Sequence, residues 1–198
     1  MMDILAICGS PRKKGTTYSV LKAVLEGTGR SSEILWPAFM KIEHCIGCLK
    51  CKNLTPGKCW QDDAMAMAIN KMFETKSLLI ASPTYFGNVP GPLKNFFDRS
   101  IPTCYTGKGE TWERAENHGT RPFKGQPAMI LAISGGEDHE KTAANIRLVL
   151  EYYEYQIVGE FVEGMGGVIV TKEEHKNIYS KLFNMGRKLD ATLKARGV

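Results

Sequence analysis

The chain has 198 residues, of which 43% are hydrophobic and 24% charged, a composition typical of a globular protein rather than a disordered or fibrous one. This length fits one domain, residues 1–198, with a full core. The net charge of +5, from 26 basic and 21 acidic residues, favours a phosphorylated ligand or an acidic redox partner but is too weak to predict nucleic-acid binding. With no apolar run of roughly 18 residues and too short an N-terminal apolar stretch for a signal peptide, we expect a cytoplasmic protein that does not bind membranes.

Short apolar runs alternate with stretches that have the period of an amphipathic helix. The runs predict five strands, over residues 4–8, 33–36, 77–82, 128–133 and 157–162. Strands alternating with helices indicate a parallel sheet that is covered on both faces and connected by right-handed crossovers. We therefore predict an α/β fold.

The helices between these strands have recognisable starts and faces. Either Asp62 or Asp63 is a suitable N-cap for the second helix, whose inward face is predicted to carry Met65, Ile69, Met72 and Phe73. The last helix is predicted over residues 172–194, and residues 101–126 form a long polar connection without a clear period. A connection of that length in a compact domain is usually functional or interfacial.

Ligands of parallel sheets bind beyond the carboxyl ends of the strands. Three loops leave those ends, with the sequences GSPRKKGTT (9–17), PTYFGNVPG (83–91) and SGGEDHE (134–140). In the first loop, the amides at the start of a helix and the hydroxyls of Ser10, Thr16 and Thr17 can bind an anion, and Arg12 or Lys13 can add positive charge. The loop matches neither the Walker nor the dinucleotide pattern, so it predicts a single phosphate, the alternative being an ordinary capped helix.

Four cysteines follow the second strand in the pattern C-x2-C-x2-C-x7-C, namely Cys45, Cys48, Cys51 and Cys59. Disulfides are disfavoured because cytoplasmic thiols are normally reduced. Three thiolates spaced two apart, with a fourth returning from further on, suit a [4Fe–4S] cluster better than zinc, which usually takes two separated pairs. A redox dithiol at Cys45 and Cys48, or at Cys48 and Cys51, is the remaining alternative.

The spacing of three segments resembles that of the flavodoxin-like NAD(P)H-dependent FMN reductases: the loop GSPRKKGTT, the segment SPTYFGNVPGPLKNFFDR and the loop that begins with SGG. The cysteine run adds a closer resemblance to the iron–sulfur flavoproteins of that superfamily, over residues 4 to about 170. This resemblance implies a doubly wound, five-stranded parallel sheet of order 2-1-3-4-5. A cysteine loop, residues 41–61, is inserted after the second strand.

The resemblance also implies an FMN site. The phosphate is expected at Ser10, Arg12, Thr16 and Thr17, with Lys13 nearby. The loop along the ribityl chain and flavin ring is expected to comprise Pro83, Thr84, Tyr85, Phe86, Gly87 and Asn88, and the opposite side Ser134, Gly135 and Gly136. Core packing is the alternative role for Tyr85 and Phe86, and Asp98 and Arg99 are expected to form a structural salt bridge or interface contact.

The implied function is electron transfer between FMN and a [4Fe–4S] cluster, with no catalytic side chain because the cofactors carry the chemistry. Electrons would come from a ferredoxin-like carrier or NAD(P)H and pass to a small acceptor such as oxygen, peroxide or a quinone. A homodimer or homotetramer is implied, with residues 101–126 as an interface or lid. The alternatives are an NAD(P)H-dependent FMN or quinone reductase whose cysteine loop is empty or holds zinc, and a metal-stapled module that binds a phosphorylated ligand.

Overall fold

A computed structural model describes residues 2–55, 57–104 and 122–198, in which strands and helices alternate. The strands are β1 (Ile4–Cys8), β2 (Ser32–Leu35), β3 (Ser77–Pro83), β4 (Pro127–Ser134) and β5 (Gln156–Gly164). The helices are α1 (Thr16–Thr28), α2 (Lys50–Asn53), α3 (Ala64–Glu74), α4 (Gly91–Ser100), α5 (His139–Tyr152) and α6 (Lys176–Ala195), and Pro37–Phe39 and Ile101–Cys104 are short 3-10 helices. Each of the five predicted strands is present, with bounds that differ from the prediction by at most two residues.

All strand pairs are parallel, and the strand order is β2-β1-β3-β4-β5, as predicted. The three central strands are completely buried, because their continuous apolar runs are covered by helices on both faces of the sheet. The edge strands are less covered: β2 has only four residues, and in β5 Phe161 alone is fully buried.

Two apolar cores lie on opposite faces of the sheet, since successive side chains of a strand alternate between its faces. Leu5 and Ile7 of β1 face the core under α3, α4 and α5, and Ile4, Ala6 and Cys8 face the core under α1 and α6. The burial of Cys8 raises the pKa of its thiol to about 11, so Cys8 behaves as an inert core residue.

The inward face predicted for α3 is correct for three of its four residues. Met65, Ile69 and Met72 are buried, whereas Phe73 is 40% exposed. Its ring instead lies 5.4 Å from that of Phe123, in the segment just before β4. Phe73 therefore packs at the rim of the core.

Helices α1 and α6 cross with their backbones in contact. A Cβ atom at Gly27 would lie 2.0 Å from the carbonyl oxygen of Phe183, and one at Gly186 would lie 2.1 Å from the carbonyl oxygen of Val24. The two backbones are thus in direct contact, and no side chain fits between them.

The structure describes both ends of the predicted connection 101–126: Ile101–Cys104 forms a 3-10 helix that follows α4 directly, and Phe123 is fully buried. The assignment of this connection as an interface or lid falls mostly on residues 105–121, outside the described part of the chain. Among the described helices, none combines the length and apolar character that a membrane span requires.

Candidate functional site

The loop after β1 ends at the start of α1 without a side-chain cap. Gly15 occupies the N-cap position of α1 and provides no side-chain cap for the amides of the first turn. The Ser10 hydroxyl is buried and accepts a hydrogen bond from the Arg12 amide at 3.1 Å, which folds the loop back on itself. Thr16 and Thr17 in the first turn are both buried. Uncapped amides at a helix N-terminus bind anions, so this loop fits the predicted phosphate.

The two basic residues expected near the phosphate, Arg12 and Lys13, are exposed. The Lys13 ammonium lies 4.6 Å from the centre of the Phe39 ring, a distance typical of a cation–π contact. This contact directs Lys13 toward the 3-10 helix that follows β2. Lys13 thus belongs to the loop predicted to bind the phosphate, but its ammonium contacts the Phe39 ring.

The loop after β3 places a polar group in a buried position. The Thr84 amide donates to the carbonyl of Ile133 in the neighbouring strand at 2.7 Å, which fixes the backbone of the loop. The Thr84 hydroxyl is buried, and no described residue hydrogen-bonds to it. An unsatisfied buried hydroxyl is costly, and a ligand at this edge of the sheet would satisfy it.

A tight turn projects from this loop. Tyr85 and Asn88 exchange two backbone hydrogen bonds of 2.8 and 3.0 Å, and the residues between them, Phe86 and Gly87, have φ angles of +51° and +70°. The Phe86 side chain is completely exposed and Tyr85 is 44% exposed. The alternative role for these two aromatic residues, core packing, is therefore wrong. The side-chain oxygen of Asn88 accepts from the Val89 amide at 2.8 Å, so its amide nitrogen is the group to consider for a ligand contact.

The third loop lies against the second. The Ser134 hydroxyl hydrogen-bonds to the carbonyl of Gly136 and lies 3.0 Å from His139 Nδ1. A Cβ atom at Gly135 or Gly136 would meet no atom within 4 Å, so open space lies beside both. Ser134 thus holds the loop that contains Gly135 and Gly136, and the two glycines leave room for a flat ligand.

Two contacts of the third loop are not foreseen in the sequence. His139 holds Ser134, as described above, and Lys141 reaches the turn after β3, since a Cβ atom at Gly87 would lie 3.1 Å from Lys141 Cδ. Lys141 also forms a 2.7 Å ion pair with Asp138. The only sequence signal for these contacts is the polar composition of the segment after β4, which does not identify partners.

The cysteine loop, residues 41–61, connects β2 to α3. Cys45 and Cys48 are exposed, Cys51 and Cys59 are half-buried, and none of the six cysteines, all of which lie in the described residues, forms a disulfide. Burial, followed by the charge of Cys59, Cys48 and Cys45, raises the pKa of the Cys51 thiol, so the other three cysteines of the loop act electrostatically on Cys51. In the described residues, however, no three Cys, His, Asp or Glu side chains converge closely enough to hold a metal ion. Pro56, between Cys51 and Cys59, lies outside the described residues.

Arg99 and Asp98 have different partners, so a salt bridge between them is excluded. Asp98 pairs with Lys94 on the surface of α4 at 2.7 Å. Arg99 is only 1% exposed and donates to both carboxylate oxygens of Asp63, at 2.7 and 3.0 Å. Asp63, rather than Asp62, also caps α3 by accepting from the Met65 amide at 2.9 Å.

The Asp63 carboxylate makes the stability of this region depend on pH. Burial raises its pKa, but the hydrogen bonds from Arg99 and two backbone amides outweigh burial and leave the pKa below its ordinary value. A depressed folded-state pKa adds stability that is present above the unfolded value of about 3.9 and is lost as the pH falls through the folded value. We expect Asp63→Asn to cost about 3–5 kcal/mol at pH 7, because Arg99 loses its counter-charge, and to flatten the acid side of the stability profile.

Urea unfolding between pH 7 and pH 3 measures this effect. The control is Asp190→Asn, since Asp190 also has a lowered pKa through Lys194 and Arg30 but lies in a partly exposed ion pair, which contributes little. A profile for Asp63→Asn that is parallel to the wild-type profile would contradict the prediction.

Residues 2–165 match the family model for "NADPH-dependent FMN reductase". An "Iron-sulfur flavoprotein" of Archaeoglobus fulgidus is 30% identical over 193 residues, covering 95% of this chain and 79% of that relative. A second protein of the same name and organism is 39% identical over 101 residues, covering 50% of this chain. The solved "NAD(P)H:quinone oxidoreductase from Methanothermobacter marburgensis" is similar in fold, with a TM-score of 0.67, 17% identity and 96% of each chain covered.

The extent of these matches differs. The chain spans only 49% of the length of the second Archaeoglobus relative, against 79% of the first. The similarity to the solved structure extends over the whole sheet and its helices, and at 17% identity it describes the fold alone.

Proposed function

Because the chain belongs to the NADPH-dependent FMN reductase family and, within it, to the iron–sulfur flavoproteins, we propose that it is a flavin-dependent oxidoreductase that couples FMN to a [4Fe–4S] cluster. The FMN part of this proposal is supported by three features that occur together at one edge of the sheet. They are an uncapped α1, the unsatisfied Thr84 hydroxyl and open space beside Gly135 and Gly136. These features supply anion binding, a polar contact and room for a planar ring.

Each of the three loops has a part in holding FMN. The loop with Ser10, Thr16 and Thr17 binds the phosphate through the amides of α1, with Arg12 adding charge. The Thr84 hydroxyl and the turn at Phe86 and Gly87 border the ribityl chain and ring, where exposed aromatic side chains exclude water from one side. The loop at Ser134–Gly136, rigid through the hydrogen bonds of Ser134, borders the opposite side.

The donor set of the cysteine loop fits an iron–sulfur cluster. Four thiols within fifteen positions, Cys45, Cys48, Cys51 and Cys59, are the ligands that iron–sulfur chemistry requires. Gly47 and Leu49 both have positive φ angles, of +63° and +55°, which turn the backbone sharply between the first three cysteines. When bound, FMN exchanges one or two electrons and a cluster exchanges one at a time, so the pair connects two-electron with one-electron partners.

The electron partners proposed for this site are a ferredoxin-like carrier or NAD(P)H as donor and a small molecule as acceptor. Support comes from the chemistry of the two cofactors, since a cluster exchanges single electrons with a protein carrier and a flavin accepts hydride from a nicotinamide. The exposed turn around Phe86 leaves the flavin position open to a small molecule. A homodimer or homotetramer is part of the proposal.

Analysis of protein purified without oxygen tests the proposal. We expect about one FMN and about four iron and four sulfide per chain, together with a broad absorption that bleaches on reduction with dithionite. Flavin without iron would reject the cluster, and protein that takes up no FMN would reject the proposal entirely.

A second candidate is an NAD(P)H-dependent FMN or quinone reductase without a cluster, whose cysteine loop is empty or binds zinc. One observation favours it, namely that the described thiols do not converge on a common centre. Zinc analysis on the same sample separates the two candidates. A phosphate-binding module without redox chemistry, the third interpretation, is not carried forward because the family consists of reductases.

Thr84→Val tests the flavin site with a nearly isosteric change. If the Thr84 hydroxyl bonds to FMN, its loss costs about 0.5–1.5 kcal/mol, which weakens FMN binding by about twofold to thirteenfold. Titration of the flavin-free protein with FMN, followed by flavin fluorescence, measures this change.

Thr142→Val in α5 is the matched control, since the Thr142 hydroxyl is also buried without a partner in the described part of the chain. FMN affinity should be unchanged in Thr142→Val. Equal affinities for both variants and the wild type would exclude the Thr84 hydroxyl from the flavin site.

A further inference from the structure

Arg99 is a buried arginine at the end of α4 that holds the two ends of the cysteine loop. Its guanidinium donates to the backbone carbonyl of Glu43, at the start of the loop, and to the Asp63 carboxylate just after the loop. Asp63 completes the connection by accepting from the Glu43 amide at 3.0 Å. The planar guanidinium thus connects the two ends of the loop. The fixed fork of donors in arginine suits this role better than the single ammonium of lysine.

One donor of Arg99 is left over. Its Nε atom is buried, and no residue within 2–55, 57–104 or 122–198 accepts a hydrogen bond from it with good geometry. The Cys59 sulfur also acts on Arg99: burial lowers the pKa of the guanidinium, but the hydrogen bonds to Asp63 and the charge and hydrogen bonding of Cys59 outweigh burial and raise it. A positive group with a spare N–H therefore lies beside one of the four sulfurs.

The same helix also connects this region to the proposed flavin site. Helix α4 begins at Gly91, directly after the loop of residues 83–90, and the Asn95 side chain donates to the Ile42 carbonyl at 2.9 Å. Asn95 and Arg99 are one helical turn apart, so they form a row along the cysteine loop. A helix with one end at the flavin loop thus carries the contacts that hold the two ends of the cysteine loop.

We propose that Arg99 is a positioning residue for the cysteine loop and the charge partner of the cluster bound there, holding residues 43 and 63 together and donating its free Nε–H to the sulfur of Cys59. The charge role rests on the proposed function, because it requires the cluster. Each one-electron reduction adds a negative charge near the guanidinium, and a fixed positive charge with a hydrogen bond to sulfur favours the reduced state. Arg99 therefore raises the reduction potential.

The charge role is tested by the potential of the cluster in Arg99→Gln and Arg99→Lys, followed by electron paramagnetic resonance during an anaerobic redox titration. In Arg99→Gln we expect the ratio of reduced to oxidised cluster at a fixed potential to fall about tenfold, equivalent to about 59 mV for one electron. Arg99→Lys retains the charge without the fork and should fall between this variant and the wild type. Arg147→Gln is the matched control, because Arg147 also pairs through two nitrogens with a carboxylate, Glu160, in another part of the fold.

The positioning role is tested without the cluster, by hydrogen exchange of the iron-free proteins. Amides of residues 41–63 should exchange faster in both Arg99 variants than in the wild type and Arg147→Gln, while β1, β3 and β4 remain protected. Should Arg99→Gln fail to fold, Arg99→Lys gives both readouts.

The outcomes separate this proposal from the function on which it rests. An unchanged potential in Arg99→Gln with normal iron content overturns the charge role, and unchanged exchange in residues 41–63 overturns the positioning role. If the wild type holds no iron, the proposed cluster and the charge role fail together, and the exchange experiment still decides the positioning role.

Discussion

Replacing Cys51 by alanine is expected to remove the iron from the protein and leave the flavin in place. Cys51 is the half-buried thiol at the start of α2, and the charges of the other three cysteines of the loop act on it. A cluster that loses one of four thiolate ligands is no longer held by a complete set. The flavin position is built from different loops, so FMN content should not change.

Iron, acid-labile sulfide and FMN, each measured per chain after anaerobic purification, decide this prediction. Cys104→Ala is the control, because Cys104 is buried outside the cysteine loop; this variant should keep both iron and flavin. Iron retained in Cys51→Ala would show that the ligand assignment is wrong. Loss of flavin along with iron would show that the two sites are not independent.

The second large effect is expected at the crossing of α1 and α6. Gly186→Ala would place a methyl group 2.1 Å from a backbone oxygen of α1, and neither helix can move without disturbing the core beneath it. Overpacking of this kind costs about 1–3 kcal/mol, with the upper end expected here because the obstacle is backbone. The sign is opposite to the usual gain when a helical glycine becomes alanine, about 0.5–1 kcal/mol.

Urea unfolding at a fixed FMN concentration measures this loss, since bound ligand itself adds stability. Asn184→Ala is the control on the same helix, because Asn184 is exposed and alanine there only improves helix propensity. If Gly186→Ala were as stable as Asn184→Ala, the close crossing would be wrong.

The sheet is predictable from sequence because its central strands are buried on both faces. Such strands need continuous apolar runs, and residues 4–8, 77–82 and 128–133 have them. Strand ends are less predictable, since they depend on hydrogen bonds to neighbouring strands. Residues 33–36 are expected as a strand, but Trp36 lies beyond β2 and packs on Tyr18, with ring centres 5.3 Å apart.

Side-chain partners that come from distant segments are the least predictable feature. Adjacent residues of a helix point in different directions, so Asp98 and Arg99 cannot pair easily, and Asp98 instead meets Lys94 one turn earlier. The partner of Arg99 is Asp63, 36 positions away. A pair of neighbouring aspartates suggests a cap but does not tell which of them also meets an arginine.

In the candidate site, too, the features set by local sequence are predictable and those set by tertiary contacts are not. The anion loop and the glycines near Ser134 follow from their positions after strands. The exposure of Phe86 does not, because Phe-Gly is not a usual pair for a turn with two positive φ angles. The spacing of the cysteines predicts a shared ligand set, but spacing alone does not set the distances between their sulfurs.

The two outermost strands restrict how copies of this protein can associate. Strand β2 is short and is followed by Pro37, and β5 carries Glu160 and Glu163, which are paired with Arg147 and Lys181. Edge strands that are short, are followed by a proline or carry charged side chains disfavour the pairing of two sheets into one continuous ladder. An assembly of subunits would therefore have to form through helical surfaces or loops, which leaves the β-ladder of each copy intact.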